Sequence, residues 1–235
     1  MNIQAFSRIA ALTFAAGALV NAPSATATLS GMKITEWMYN SSQTSGLGEF
    51  VEFTNFGPTS VNFSGWSFDD NSELPGSQSL AAFGTVAPGE SVIFTDATDT
   101  DFRAAWNLGG SVKVIGGNLN NLGRSDEVNL YDNTSTLVDR LTYNDQGTGS
   151  VAGPRTSGFS GRPSSASVLG ANTASGWVLS SVGDGEGSYA SVAAGGLTSV
   201  SIGSPGKTSF VPEPASGALL VSSVAFLLGL RRRRA

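Results

Sequence analysis

The sequence predicts an all-β sandwich carrying one short helix. From Met32 to Tyr143, short runs of strand-forming residues are separated by turn residues, the spacing expected of sandwich strands. Gly, Ser, Thr and Asn are abundant while Lys and Glu are scarce, a composition that gives long helices little support. Only Asp101 to Asn107 has convincing helical character.

The elements follow in order. Met32-Lys-Ile-Thr-Glu-Trp-Met-Tyr39 alternates loosely and stops at Asn40-Ser-Ser; Glu49-Phe-Val-Glu-Phe-Thr54 is closed by Asn55-Phe-Gly-Pro58. Val61 to Phe68 has period two, with Val61 and Phe63 facing one way and Trp66 and Phe68 regaining the inward face past Gly65. An isolated glycine in such a run marks a bulge or bend. Ala87-Pro-Gly-Glu90 has the type II turn residues and leads into Ser91 to Thr95. The helix begins at Asp101, its cap candidate beside Asp99, and Gly109-Gly110 lies past its end. Val112 to Ile115, Glu127 to Tyr131 and Leu137 to Tyr143 complete the set, with Asp132-Asn133 turning the last pair into a hairpin. Residues 144–176 are rich in Gly, Ser and Ala and read as a long surface excursion, either an ordered insertion or a flexible arm, after which Trp177-Val-Leu179 resumes strand character. Ser199 to Ile202 reads as a last edge strand.

Both ends read as addresses. Arg8 precedes the apolar stretch Ile9 to Val20, and Ala25-Thr-Ala27 fits a signal-peptidase site, so residues 1–27 are expected to be a secretory signal peptide. At the other end, Pro212-Glu213-Pro214 is followed by the uncharged segment 215–230 and then by Arg231, Arg232, Arg233 and Arg234. Sixteen residues is short against the ~20 a spanning helix needs, although the Arg stems can snorkel. Proline at both sides of Glu213 keeps that marker out of any helix interior, and the Arg cluster favours the cytoplasmic side.

This order of marker, short apolar helix and Arg cluster over residues 211–235 resembles the PEP-CTERM sorting signal. The resemblance implies an exosortase as partner, an inner-membrane intermediate, and delivery to the surface or extracellular matrix of a Gram-negative bacterium, in association with exopolysaccharide and biofilm.

Without these ends, residues 28–210 hold 8 basic and 17 acidic side chains, a net charge of −9. Such a domain repels phosphate backbones, so nucleic acid is an unfavoured partner. The chain has no Cys and no His. That excludes disulfides, Ser-His-Asp and Cys-His catalysis, and His-ligated zinc, and leaves carboxylates as the only ordinary acid–base groups. About 180 residues suffice for one core without covalent staples.

Within the predicted sandwich, Ile34-Thr-Glu-Trp37, Glu49 to Asn55, Phe63-Ser-Gly-Trp66, Asp69-Asp70, Ala87 to Phe94, Val128 to Asp132 and Val138-Asp139 together resemble the lamin-tail domain. Trp177 and Gly203-Ser-Pro-Gly206 resemble its closing elements. The resemblance implies an immunoglobulin-like sandwich for residues 28–210. Eukaryotic members are basic where they touch DNA; this chain is acidic.

Three acidic groupings stand out: Asp69, Asp70 and Glu73; Asp96, Asp99 and Asp101; Asp184 and Glu186. Asp69, Asp70, Asp96 and Asp99 are candidate Ca2+ ligands, because calcium takes carboxylate and carbonyl oxygens from such loops. The same residues are also ordinary turn and cap formers, and no complete calcium motif is present. Glu49 and Glu52 fall on opposite faces of one strand and so do not form a catalytic pair; Glu36 has room to oppose one of them. Trp37 and Tyr39 share a strand face and are the candidate sugar-stacking residues. Trp66, Trp106 and Trp177 are assigned to the core.

These readings lead to the expectation of an exported, non-enzymatic surface or matrix protein. A calcium-dependent carbohydrate-binding module and a His-free secreted hydrolase are the alternatives.

Overall fold

Fourteen short strands, one α-helix and four single-turn 3-10 helices make up the regular structure of the computed structural model, which describes residues 29–42, 48–194 and 200–211. In chain order the strands are β1 (Met32–Met38), β2 (Phe50–Asn55), β3 (Val61–Asn62), β4 (Ser67–Asp69), β5 (Gln78–Ser79), β6 (Thr85–Val86) and β7 (Ser91–Thr95). Helix α1 (Asp99–Trp106) follows, then β8 (Lys113–Ile115), β9 (Ser125–Tyr131), β10 (Leu137–Asn144), β11 (Gly161–Pro163), β12 (Trp177–Leu179), β13 (Tyr189–Ala190) and β14 (Ile202–Gly203).

A six-stranded sheet, β12-β11-β1-β2-β7-β8, packs on a four-stranded one, β10-β9-β4-β5. Every pairing in them is antiparallel except β7 with β8. Side chains alternate along a strand, so Val51, Phe53, Val92 and Phe94 enter the sandwich and meet Phe68, Val128, Leu130 and Leu141. Phe68 and Phe94 touch edge to face, ring centres 5.2 Å apart. The opposite face of the six-stranded sheet is also covered. There Phe50 and Ile93 pack beneath Phe102, Ala105 and Trp106 of α1.

Coverage on both faces changes how β1 must be read. All of its residues except Lys33 are buried, including Thr35 and Glu36. Its pairing with β2 slips between Ile34 and Glu36, a bulge beside which the buried carboxylate of Asp139 accepts the Ile34 N–H at 2.9 Å.

Three expected elements are corrected. The run Val61 to Phe68 is two strands, β3 and β4, separated by a turn in which Gly65 takes φ of +80°. Residues 144–176 are an ordered insertion of which part enters the sandwich: β11 joins the six-stranded sheet beside β1, and Thr156 and Ser160 are fully buried. Small residues are required there, because a Cβ on Gly161 would lie 2.9 Å from the Trp37 indole nitrogen. The helix starts two residues earlier than expected, with Thr98 as its cap; the Thr98 hydroxyl accepts the Asp101 N–H at 3.1 Å.

Among the described residues no helix is long and apolar enough to cross a membrane. The expected signal peptide 1–27 with Ala25 and Ala27, and the expected sorting tail with Pro212, Glu213, Pro214, segment 215–230 and Arg231 to Arg234, lie outside the described residues.

Candidate functional site

The outer face of the six-stranded sheet holds a group of buried acids that the sequence did not assemble. Glu36 of β1 and Glu52 of β2 are register partners, and both are closed to solvent. Glu36 Oε1 accepts from the Ser160 hydroxyl and from the Ser204 N–H at 2.7 Å, and Oε2 accepts from the Ser204 hydroxyl at 3.3 Å. Glu52 Oε1 accepts from Thr35 Oγ1 at 2.6 Å and Oε2 from the Gly206 N–H at 2.6 Å. A third acid, Glu186, takes the Ser209 N–H at 2.5 Å and its hydroxyl at 2.8 Å.

These bonds share one consequence. The segment 202–209 is laid across the sheet and held through five donors from Ser204, Gly206 and Ser209 to three carboxyl groups. Gly203 permits the approach, since a Cβ there would sit 2.8 Å from Glu36 Oε1. The segment then runs on to Val211, whose Cγ1 lies 2.9 Å from where a Gly89 Cβ would be.

Burial sets the electrostatics, with no cation paired to Glu36 or Glu52 among the described residues. Desolvation pushes Glu36 up to about 7, against weaker opposing bonds from Ser160 and Ser204. Glu52 is raised well above the usual carboxylate range by burial and then by the nearby Glu36 charge. Tyr189, whose hydroxyl donates to the Trp106 carbonyl at 2.8 Å, is raised to about 12 by burial and the same two acids. The pair therefore holds a proton near neutrality and works as a hydrogen-bonding anchor. Access to a substrate is blocked by the segment it holds.

The candidate calcium ligands do not converge. Asp69 is fully buried and accepts from the Ser72 hydroxyl at 2.7 Å, the Leu74 N–H at 2.6 Å and Asn120 Nδ2 at 3.1 Å. Asp70 closes its own turn by accepting the Ser72 N–H, and Asp96 accepts the Gly48 N–H at 2.7 Å. Asp99 is the first residue of α1. Among the described residues, no group of three or more acidic side chains is placed to hold a metal ion. Asp184 likewise organises a turn, accepting from Ser181, Glu186 and Ser188 and pairing with Arg162 at 2.7 Å.

Trp37 and Tyr39 do share a face, as expected, but it is the inner one. Trp37 is fully buried and Tyr39 nearly so, and both rings pack with Tyr143. The expectation of an open sugar-stacking surface at these two residues is corrected: the second sheet covers them.

A shallow cleft of about 280 Å³ opens beside β9 and β10, lined by Asn71, Glu73, Asp126, Glu127 and Thr142 among others. Its acids are engaged. Glu73 and Glu127 flank Arg140 at 2.6 and 3.5 Å, and Asp126 accepts the Gly123 N–H at 2.7 Å.

A family model described as Lamin Tail Domain matches residues 25–145. No curated protein and no solved structure matches the chain. The matched stretch contains Glu36 and Glu52, whereas Ser160, Ser204 and Gly206, which bond to them, lie beyond it.

Proposed function

We propose that this chain, which belongs to the lamin tail domain family, is an exported, non-catalytic protein of the cell surface or extracellular polysaccharide layer. The lamin tail domain is an immunoglobulin-like, non-catalytic fold. In this reading residues 1–27 direct export, and the Pro212-Glu213-Pro214 tail is presented to an exosortase from an inner-membrane intermediate.

The observation that carries the reading is the anchoring of the segment 202–209. Three buried glutamates tie it to the sandwich, and the marker begins immediately beyond Val211. A firmly tethered exit gives a sorting enzyme a defined recognition segment beside a closed domain. The burial of Glu36 and Glu52 also counts against a hydrolase built on that pair, because proton transfer to a substrate requires reach.

Export and sorting are tested by treating intact cells with protease and fractionating them, using the full chain and a version ending at Val211. The full chain is expected at the outer surface, and the shortened one in the periplasm. Retention of the full chain in the cytoplasm, or identical distributions for both, overturns the proposal.

A further inference from the structure

Asp145 is shared by two arginines, an arrangement found at no other carboxylate among the ion pairs of the described residues. Arg124 grips it as a fork, with Nε 3.0 and 2.9 Å from its two oxygens and a terminal nitrogen 2.9 Å away. Arg155 approaches the same group at 3.9 Å, and the Tyr39 hydroxyl donates to it at 2.5 Å. The Asp145 N–H also donates to the Arg124 carbonyl, which fixes the two residues together.

Exposure is divided unequally. The Asp145 side chain is wholly covered, whereas those of Arg124 and Arg155 are 44% and 65% exposed. One carboxylate neutralises one guanidinium and leaves the second unbalanced at the surface. The remaining ion pairs have acids equal to or exceeding their cations: Lys113 with Glu90, Arg140 with Glu73 and Glu127, Arg162 with Asp184. A local positive spot thus stands on an otherwise acidic domain.

The strand end that carries Tyr39 is tied to the segment that carries Arg155. Asn40, next to Tyr39, bonds the hydroxyl of Ser157 at 2.8 Å in an exposed pair. Asn40 also ties its strand end to the Arg155 segment through its own N–H to Thr156 O and its carbonyl to the Gly158 N–H. The site is therefore composite. Tyr39, Arg124 and Asp145 fall within the family match, and Arg155 comes from the extension.

We infer that Arg155, set beside the Arg124–Asp145 pair, forms with Arg124 a binding site for the carboxylate of a uronic acid residue in a polysaccharide. The Arg124 fork is taken by Asp145, so the two-point match to a ligand carboxylate falls to the exposed guanidinium of Arg155, which stands 3.9 Å from Asp145. Duplex DNA carries a charge about every 1.7 Å and needs several cations in a row, which this face does not supply. At physiological salt the acidic remainder of the domain is screened beyond about 8 Å, so the local surplus governs close approach. The choice of a polysaccharide over another anion rests on the extracellular reading above.

The test is calorimetric titration of the purified full-length protein with trigalacturonate and with uncharged maltotriose, at near-physiological salt. Trigalacturonate is expected to bind the more tightly. Arg155→Ala should weaken it about tenfold or more, Arg155→Lys should recover part of the loss, and Arg103→Ala, which removes a cation outside the ion pairs of the described residues, should change nothing. Arg155 is exposed, and an unchanged circular dichroism spectrum verifies folding of its variants. Equal binding of both sugars, an unaffected Arg155→Ala, or tighter binding of a short DNA duplex each overturns the inference. Arg155-dependent binding by a protein that cells keep in the cytoplasm leaves this site standing and removes only the extracellular reading.

Discussion

Glu36 and Glu52 face each other in direct register on neighbouring strands, with neither side chain open to solvent. Opposed residues on one face place their Cβ atoms only about 5 Å apart, so two charges there repel strongly. The groups packed around the pair are Thr35, Ser160, Ser204, Gly206, Tyr189 and Glu186, none of them cationic. Burial and mutual repulsion therefore favour the protonated pair.

Stability should therefore fall as pH rises. A carboxyl whose folded pKa lies above its unfolded value contributes stability that is full below the unfolded value and lost through the folded one. For Glu36 that window runs from 4.5 to about 7; Asp96, raised by burial to about 6, and Glu49, raised by burial to about 9, act in the same direction. Asp145 and Asp184, held low by their partners, matter only in stronger acid. Thermal melts should give their highest midpoint near pH 5 and a steady decline to pH 8.5. A midpoint that rises over this range would contradict the assignment.

Glu52→Gln should flatten that decline. The amide oxygen can accept the Gly206 N–H while its nitrogen donates to Thr35 Oγ1, so geometry survives and the charge is removed. At pH 8 the variant should melt above the parent, by roughly 2–4 °C per kcal/mol recovered in a chain of this size. Near pH 5 the two should coincide. A variant less stable than the parent at pH 8 would show the carboxylate form to be the native one.

Gly203→Ala should loosen the anchored segment without disturbing the sandwich. The new methyl would lie 2.8 Å from Glu36 Oε1, 2.9 Å from Ser160 Oγ and 3.2 Å from the Trp106 ring. Overpacking of this kind costs about 1–3 kcal/mol. Faster amide exchange confined to residues 202–209 and their partners is the expected signature. Unchanged exchange there would mean the anchor tolerates the methyl.

Asp69→Asn separates turn chemistry from calcium binding. All three recorded partners of Asp69 donate to it, and an amide nitrogen in place of one oxygen leaves a donor facing a donor. A loss of about 1–3 kcal/mol is expected with or without millimolar calcium. A parent protein that calcium stabilises, and a variant that it does not, would restore Asp69 as a ligand.

Much of the sandwich was legible because its strands alternate. Val61, Phe63, Trp66 and Phe68 all pack in or against the core as their period predicts, even though Gly65 divides them between two strands. Trp106 and Phe102 face the sheet together, as their spacing on the helix requires. Other features depended on partners far away in sequence. Trp37 and Tyr39 could not be told from surface aromatics until the second sheet covered them. The opposition of Glu36 and Glu52 depends on the slip between Ile34 and Glu36, which leaves no local signal. Strand β11, Gly161-Arg-Pro163, has poor strand propensity and is placed by the Trp37 indole above it. The Asp145 site was missed because its second arginine belongs to a stretch whose composition resembles a linker.

The central claim is that an anchored sandwich carries a sorting tail, and intact mass spectrometry of the protein from cells with and without a working exosortase tests it most directly. The account predicts a chain that has lost its segment beyond the Pro212-Glu213-Pro214 region only when the enzyme is present. The same full-length mass in both strains would contradict it and leave the tail as a plain anchor.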